Sequence, residues 1–189
     1  MREAIRVLSL LDATGLRRLR EPVIDLRLPM LREAADAAAR AGVGGSAAAV
    51  LNTPGVKPRL VLFALRQLAS ALEDSPFPQT ETGELGRLFG WDSLATLVDS
   101  SPASLRRYAS AKRATPDDVA GRLHLVAKVV GALKGAYNEA GIRRWFERPR
   151  LQLGGRAPRD VLRGEWTPDQ PDVIAVRALA DSLLGAGAT

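Results

Sequence analysis

Cysteine is absent from the 189-residue chain, and histidine occurs once, as His124. The missing thiols exclude disulfide scaffolds, zinc ribbons, iron–sulfur clusters and cysteine nucleophiles, and they fit a reducing cytoplasm. One histidine cannot build a multi-histidine metal site. Aromatic residues make up only 5% of the chain. Long apolar runs are missing too, since the stretch VLFALRQLASAL is broken by Arg66 and Gln67, so no membrane span is predicted. The opening MREAIRVLSLLDATG lacks the apolar core and small-residue cleavage site of a signal peptide, and a cytoplasmic protein is expected. The side chains left for catalysis are carboxylates, hydroxyls and guanidiniums, a thin set for a base poised near neutral pH. We therefore expect no enzyme, no cofactor, no metal and no catalytic residues.

What is present describes an ordinary globular protein. Hydrophobic residues amount to 46% and charged residues to 25%, enough for one medium domain or two small ones with a real core. The net charge of +6 is unevenly spread. Residues 1–83 hold 11 basic against 9 acidic side chains, residues 84–163 hold 15 against 8, and residues 164–189 hold 1 against 4. An excess concentrated in the middle is what a polyanion-binding module shows, whereas the acidic tail is unsuited to phosphate.

Almost every readable period is helical, and the predicted class is all-α. Helices are expected near Arg2–Leu11, from Pro29 to Ala41 after a Pro22–Pro29 connection, and over PRLVLFALRQLASALED, which reads as a buried helix. GVGGS, Gly42 to Ser46, is read as a turn, because no strand precedes it and no phosphate-loop lysine follows. SPFPQTETG, Ser75 to Gly83, reads as a linker on its prolines and polar residues. Further on, Thr115 is placed as N-cap and Pro116 at the first helical position of a long helix. In it Val119, Leu123, Val126, Val130, Leu133 and Tyr137 form a continuous stripe that runs out at Gly141. His124 lies beside this stripe without a serine–aspartate context, and a structural or solvent-facing role is expected.

Between Trp91 and Ser110 the sequence WDSLATLVDSSPASLRRYAS has the pattern of a helix-turn-helix. Leu94, Ala95 and Val98 form the inner face of a first helix. Asp99 and Ser100 make the turn, Ser101 caps, Pro102 opens the second helix, and Leu105 with Tyr108 anchor it. Asp99 and Ser100 stand where a glycine and an apolar residue are usual. The candidate DNA-binding residues are Ser101, Ser104, Arg106 and Arg107 on the outer face, with Lys112 and Arg113 clamping the backbone. Two such units in a homodimer would meet adjacent half-sites of operator DNA.

After the long helix, GIRRWFERPRLQLGGRAPRDVLRG carries Trp145 and Phe146, Pro149, Leu153, Gly154, Gly155, Pro158, Val161 and Leu162. Together with the preceding helices and PDVIAVRALADSLLG, Pro171 to Gly185, this resembles the Xre/MbcA/ParS-type antitoxins over roughly Leu88 to Thr189. Arg150, Ala157 and Arg159 depart from the family's usual residues, and residues 1–83 have no counterpart. The expected linker sets off 1–83, a helical region of unknown role, and the resemblance implies 84–140, a helix-turn-helix-like module with a long helix, and 141–189, a toxin-binding domain. It further implies an antitoxin of a type II system that blocks the active site of a RES-domain, NAD-degrading toxin and represses its own operon. Trp145, Pro149, Leu153, Gly154, Gly155, Pro158 and Leu162 would build the toxin-binding domain. Val176, Arg177, Leu183 and Leu184 would lie nearest the toxin. An NAD pocket that binds pyrophosphate is basic, which the acidic tail would complement. The alternative is a stand-alone helix-turn-helix transcriptional regulator.

Overall fold

The computed structural model describes residues 1–17 and 27–184; the Pro22 end of the expected Pro22–Pro29 connection and Gly185 lie outside that range. The described residues form helices and no strand, so the fold class is all-α as predicted. None of these helices is long and apolar enough to cross a membrane.

Four helices share a first core. Helix α1 (Arg2–Ala13) buries Val7, Leu8, Leu10 and Leu11, while α2 (Leu28–Arg40) contributes the fully buried Ala34, Ala35 and Ala38. Of the GVGGS stretch expected as a turn, Gly42 to Gly44 make the turn, and Gly45 and Ser46 already open α3 (Gly45–Asn52). Gly44 is required there on two grounds: its φ is 71°, and a Cβ would stand 2.4 Å from Leu68 Cδ1. Helix α4 (Pro58–Asp74) buries Ala64, Leu65, Leu68, Ala69 and Leu72 against α1 and α3. It is not buried all round, however, because Leu60, Leu62 and Phe63 are 44%, 41% and 56% exposed.

The second core begins at α5 (Pro78–Phe89), where a linker was expected. Pro78 takes the first turn, which needs no N–H, and the polar Thr82 bonds back to the Pro78 carbonyl at 2.5 Å. Glu81 and Thr82 are completely buried, so the polarity that suggested a linker is interior polarity. Around α8 (Asp117–Lys134) pack α1, α5, α6 (Trp91–Val98), α9 (Glu139–Glu147) and α11 (Pro171–Asp181). The remaining helices are α7 (Pro102–Ala109) and the short α10 (Pro158–Val161). The boundaries drawn after 83 and 140 fall inside α5 and α9; the apolar cores divide nearer Pro78.

Helix α8 joins the two halves. At Gly131 the backbone of α8 faces α1, where a Cβ would make ordinary contact with the Ser9 carbonyl at 3.4 Å and Ala13 Cβ at 3.5 Å. Two details differ from the sequence reading. Pro116, not Thr115, occupies the N-cap, in extended backbone and with no side-chain cap. The stripe stops at Leu133: the chain turns at Gly135, leaves Tyr137 38% exposed and starts α9 with Asn138, whose Oδ1 accepts from the Gly141 N–H at 2.9 Å. A capping asparagine wins over continuation of the period.

Candidate interaction surfaces

Helices α6 and α7 meet through Leu94, Ala95, Val98, Leu105 and Tyr108, all buried. Asp99 takes the left-handed conformation, φ 50°, at the end of α6. Aspartate visits that region more readily than most residues, which accounts for the missing glycine. Ser101 is the N-cap of α7, its Oγ accepting from the Ser104 N–H at 3.0 Å. Ser101 also donates to Ser104 Oγ at 3.0 Å, so both serines serve the cap and Ser104 is half-buried. Arg106, Arg107, Lys112 and Arg113 are exposed. The Arg106 guanidinium lies 5.5 Å from the Trp91 ring and that of Arg113 lies 5.8 Å from the Tyr108 ring. Stacked in this way, the cations are presented in fewer conformations than free arginines.

What fixes α6 lies outside the helix-turn-helix pattern itself. Arg122, on α8 and only 7% exposed, donates from Nε to the Trp166 carbonyl at 2.8 Å and from Nη1 to the Val98 carbonyl at 3.3 Å. The indole of Trp166 in turn donates to the Leu97 carbonyl at 3.0 Å. Two residues far along the chain thus satisfy the last carbonyls of α6, which the helix itself leaves open. The available signal was the position of Arg122, three residues after Val119 and four before Val126, on the flank of the apolar stripe. Trp166→Phe keeps most of the packing but strands a buried carbonyl. We expect a loss of about 1–3 kcal/mol in chemical denaturation and faster amide exchange in α6. Unchanged exchange in α6 would show that Trp166 does not hold it.

The segment after α9 folds back on itself. Trp145 and Phe146 are buried with ring centroids 5.3 Å apart, and Phe146 meets Phe89 edge-on at 4.9 Å. Leu153, Pro158, Val161 and Leu162 are buried beside them, whereas Pro149, Gly154 and Gly155 are exposed. A 3-10 turn at Leu151–Leu153 is closed by the Arg150 N–H to the Arg156 carbonyl at 3.0 Å and the Gly155 N–H to the Arg150 carbonyl at 2.9 Å. Gly154 and Gly155 have φ of 64° and 81°, the left-handed values that let the loop reverse. At its tip Leu151 is 93% exposed. Between Gly141 and Arg163 seven arginines stand against two acids, so this apolar tip sits in a basic field.

The residues expected nearest a partner in the last helix are placed differently. Val176 is fully buried against the chain's own core, together with Val173 and Ala180, because α11 packs on α8. Arg177 is turned inward: its Nη2 donates to Glu73 Oε1 at 3.0 Å and its Nε to Asp181 Oδ2 at 2.8 Å. Leu183 is half-buried against the second core, and the side chain of Leu184 lies outside the described residues. Val176 and Arg177 hold α11 in place and do not form a free surface.

The Arg177 contact belongs to a part-buried polar cluster where the two cores meet. Glu73 Oε1 also accepts from Arg6 Nη2 at 2.8 Å. His124, 6% exposed, places Nδ1 at 2.6 Å from Glu81 Oε1 and Nε2 at 2.8 Å from the Glu73 carbonyl. A carbonyl only accepts, so Nε2 carries a proton, and one further proton is shared between Nδ1 and Glu81. The second carboxylate oxygen, Oε2, is buried without a partner. The Lys128 ammonium reaches the same Glu73 carbonyl at 3.2 Å; burial, then the neighbouring Arg177 charge, holds it below the ordinary lysine range. His124 therefore takes the structural role of the two expected for it.

No protein-family model matches this chain, and neither a curated protein nor a solved structure is similar to it.

Proposed function

We propose that the chain is an antitoxin of a type II toxin–antitoxin pair. It acts by binding, without turnover or cofactor: residues 141–189 block the active site of a RES-domain, NAD-degrading toxin, and α7 contacts operator DNA to repress the operon. The observation that carries this reading is the unit after α9. The residues that make the resemblance, Trp145, Leu153, Pro158 and Leu162, are buried together, and their burial lifts Leu151 outward on a backbone-locked turn. A side chain presented in this way loses little freedom on docking. The rival reading, a stand-alone regulator, rests on the exposed Arg106 and Arg107, which need no protein partner to meet phosphates.

Co-expression with the protein encoded beside it separates the two. The antitoxin reading expects that the neighbour alone depletes cellular NAD and arrests growth, and that the pair grows and co-purifies. A harmless neighbour that does not co-purify would overturn it in favour of the regulator.

A further inference from the structure

One face of α4 points away from both cores. Leu60, Phe63, Gln67, Ser70 and Asp74 recur at spacings of three and four residues and are all exposed. Leu60 and Phe63, one turn apart on this stripe and 44% and 56% exposed, stand side by side rather than singly. The charges on this helix are also inverted. Lys57 and Arg59 stand at its N-terminus with no acid in the first turn, and Glu73 and Asp74 stand at its C-terminus with no base in the last. Each group opposes the dipole of its own helix. The same arrangement becomes favourable when a second copy lies alongside in the opposite direction.

We propose that this face of α4 pairs with the same face of a second copy of the chain, antiparallel about a two-fold axis between Phe63 and Gln67. In that register Leu60 and Phe63 of each copy lie along the Phe63–Ser70 stretch of the other. Lys57 and Arg59 then approach the acidic C-terminal end at Asp74. A parallel pairing would set cations against cations. Arg66, near the axis, is already matched within its own chain by Glu3 at 3.7 Å, so it does not bring two bare charges together. The contact is isologous and closes at two copies. It stands independently of the antitoxin reading.

Sedimentation of the full chain at about 50 µM is expected to give twice the 20.2 kDa chain mass. Phe63→Glu, at an exposed position that does not disturb the fold, is expected to raise the dimer dissociation constant at least about tenfold. Because the chain has no cysteine, the register is directly testable. A mixture of Leu60→Cys and Ser70→Cys chains should cross-link on oxidation far more than either variant alone. A monomeric wild type would overturn the proposal. So would a dimer indifferent to Phe63→Glu, or Leu60→Cys cross-linking to itself as well as to Ser70→Cys.

Discussion

His124→Leu is expected to destabilise the chain by about 3–5 kcal/mol, the cost of removing one member of a buried pair that shares a proton and leaving the other without it. The loss falls on Glu81, which is completely buried, has Oε2 already unpartnered, and would lose the ring that shares its proton. The Glu73 carbonyl suffers less, because Lys128 still reaches it. Glu81→Leu is milder, about 1–3 kcal/mol, since a neutral imidazole can still donate from Nε2 to Glu73 and only Nδ1 is stranded. The double leucine variant removes both polar groups and should be less destabilised than the sum of the single changes by about 2 kcal/mol or more. Glu81→Gln supplies an amide donor to Nδ1 and should stay within about 1 kcal/mol of wild type. Thermal or urea unfolding of the four variants decides it, the His124→Leu midpoint falling by roughly 10 °C. Simple additivity of the two leucine changes would mean that the pair does not act as a unit.

This pair also marks where sequence reading stops. Helices α6 and α7 were legible to within a residue or two because cap, first-turn proline and apolar spacing agree locally around Ser101 and Pro102. The stripe of α8 was legible for the same reason as far as Leu133. What failed was long-range polarity. Glu81 lies in a proline-flanked polar stretch that has the composition of a linker, and only His124, 43 residues later, explains why a carboxylate is buried there. Arg122 and Trp166 are likewise paired across 44 residues, a distance over which no periodicity carries information. Apolar side chains announce burial by spacing, whereas buried polar ones are recognised only once their partner is known. In the last helix, Val176 and Arg177 were expected at a partner surface, yet Val176 fits the 3.6-residue stripe of Val173 and Ala180, all of which are core.

That placement determines how the two proposed activities are to be separated. Deleting Pro171 to Thr189 would strip Val173, Val176 and Ala180 from the second core and remove Arg177 from Glu73, so loss of any activity would follow from unfolding alone. A surface substitution avoids this. Leu151→Asp changes a side chain that is 93% exposed and leaves the backbone hydrogen bonds of its turn untouched. It sets a carboxylate at an apolar tip, and a partner that receives Leu151 in an apolar socket would have to desolvate that charge to bind. Affinity for the toxin should fall about 30-fold or more, the effect of losing a central anchor, with DNA affinity unchanged. Arg106→Ala with Arg107→Ala should do the reverse. Operator affinity should fall about a hundredfold at low salt and the salt dependence should flatten by roughly two counterions, while toxin is still neutralised. Calorimetry with the neighbouring protein and fluorescence anisotropy with promoter DNA, run on both variants, give four outcomes. Two crossed losses support separate surfaces on one rigid scaffold. Equal loss of both activities in either folded variant would mean that the α6–α7 pair and the Leu151 turn form one binding surface, and the division into a DNA-binding and a toxin-binding module would have to be abandoned.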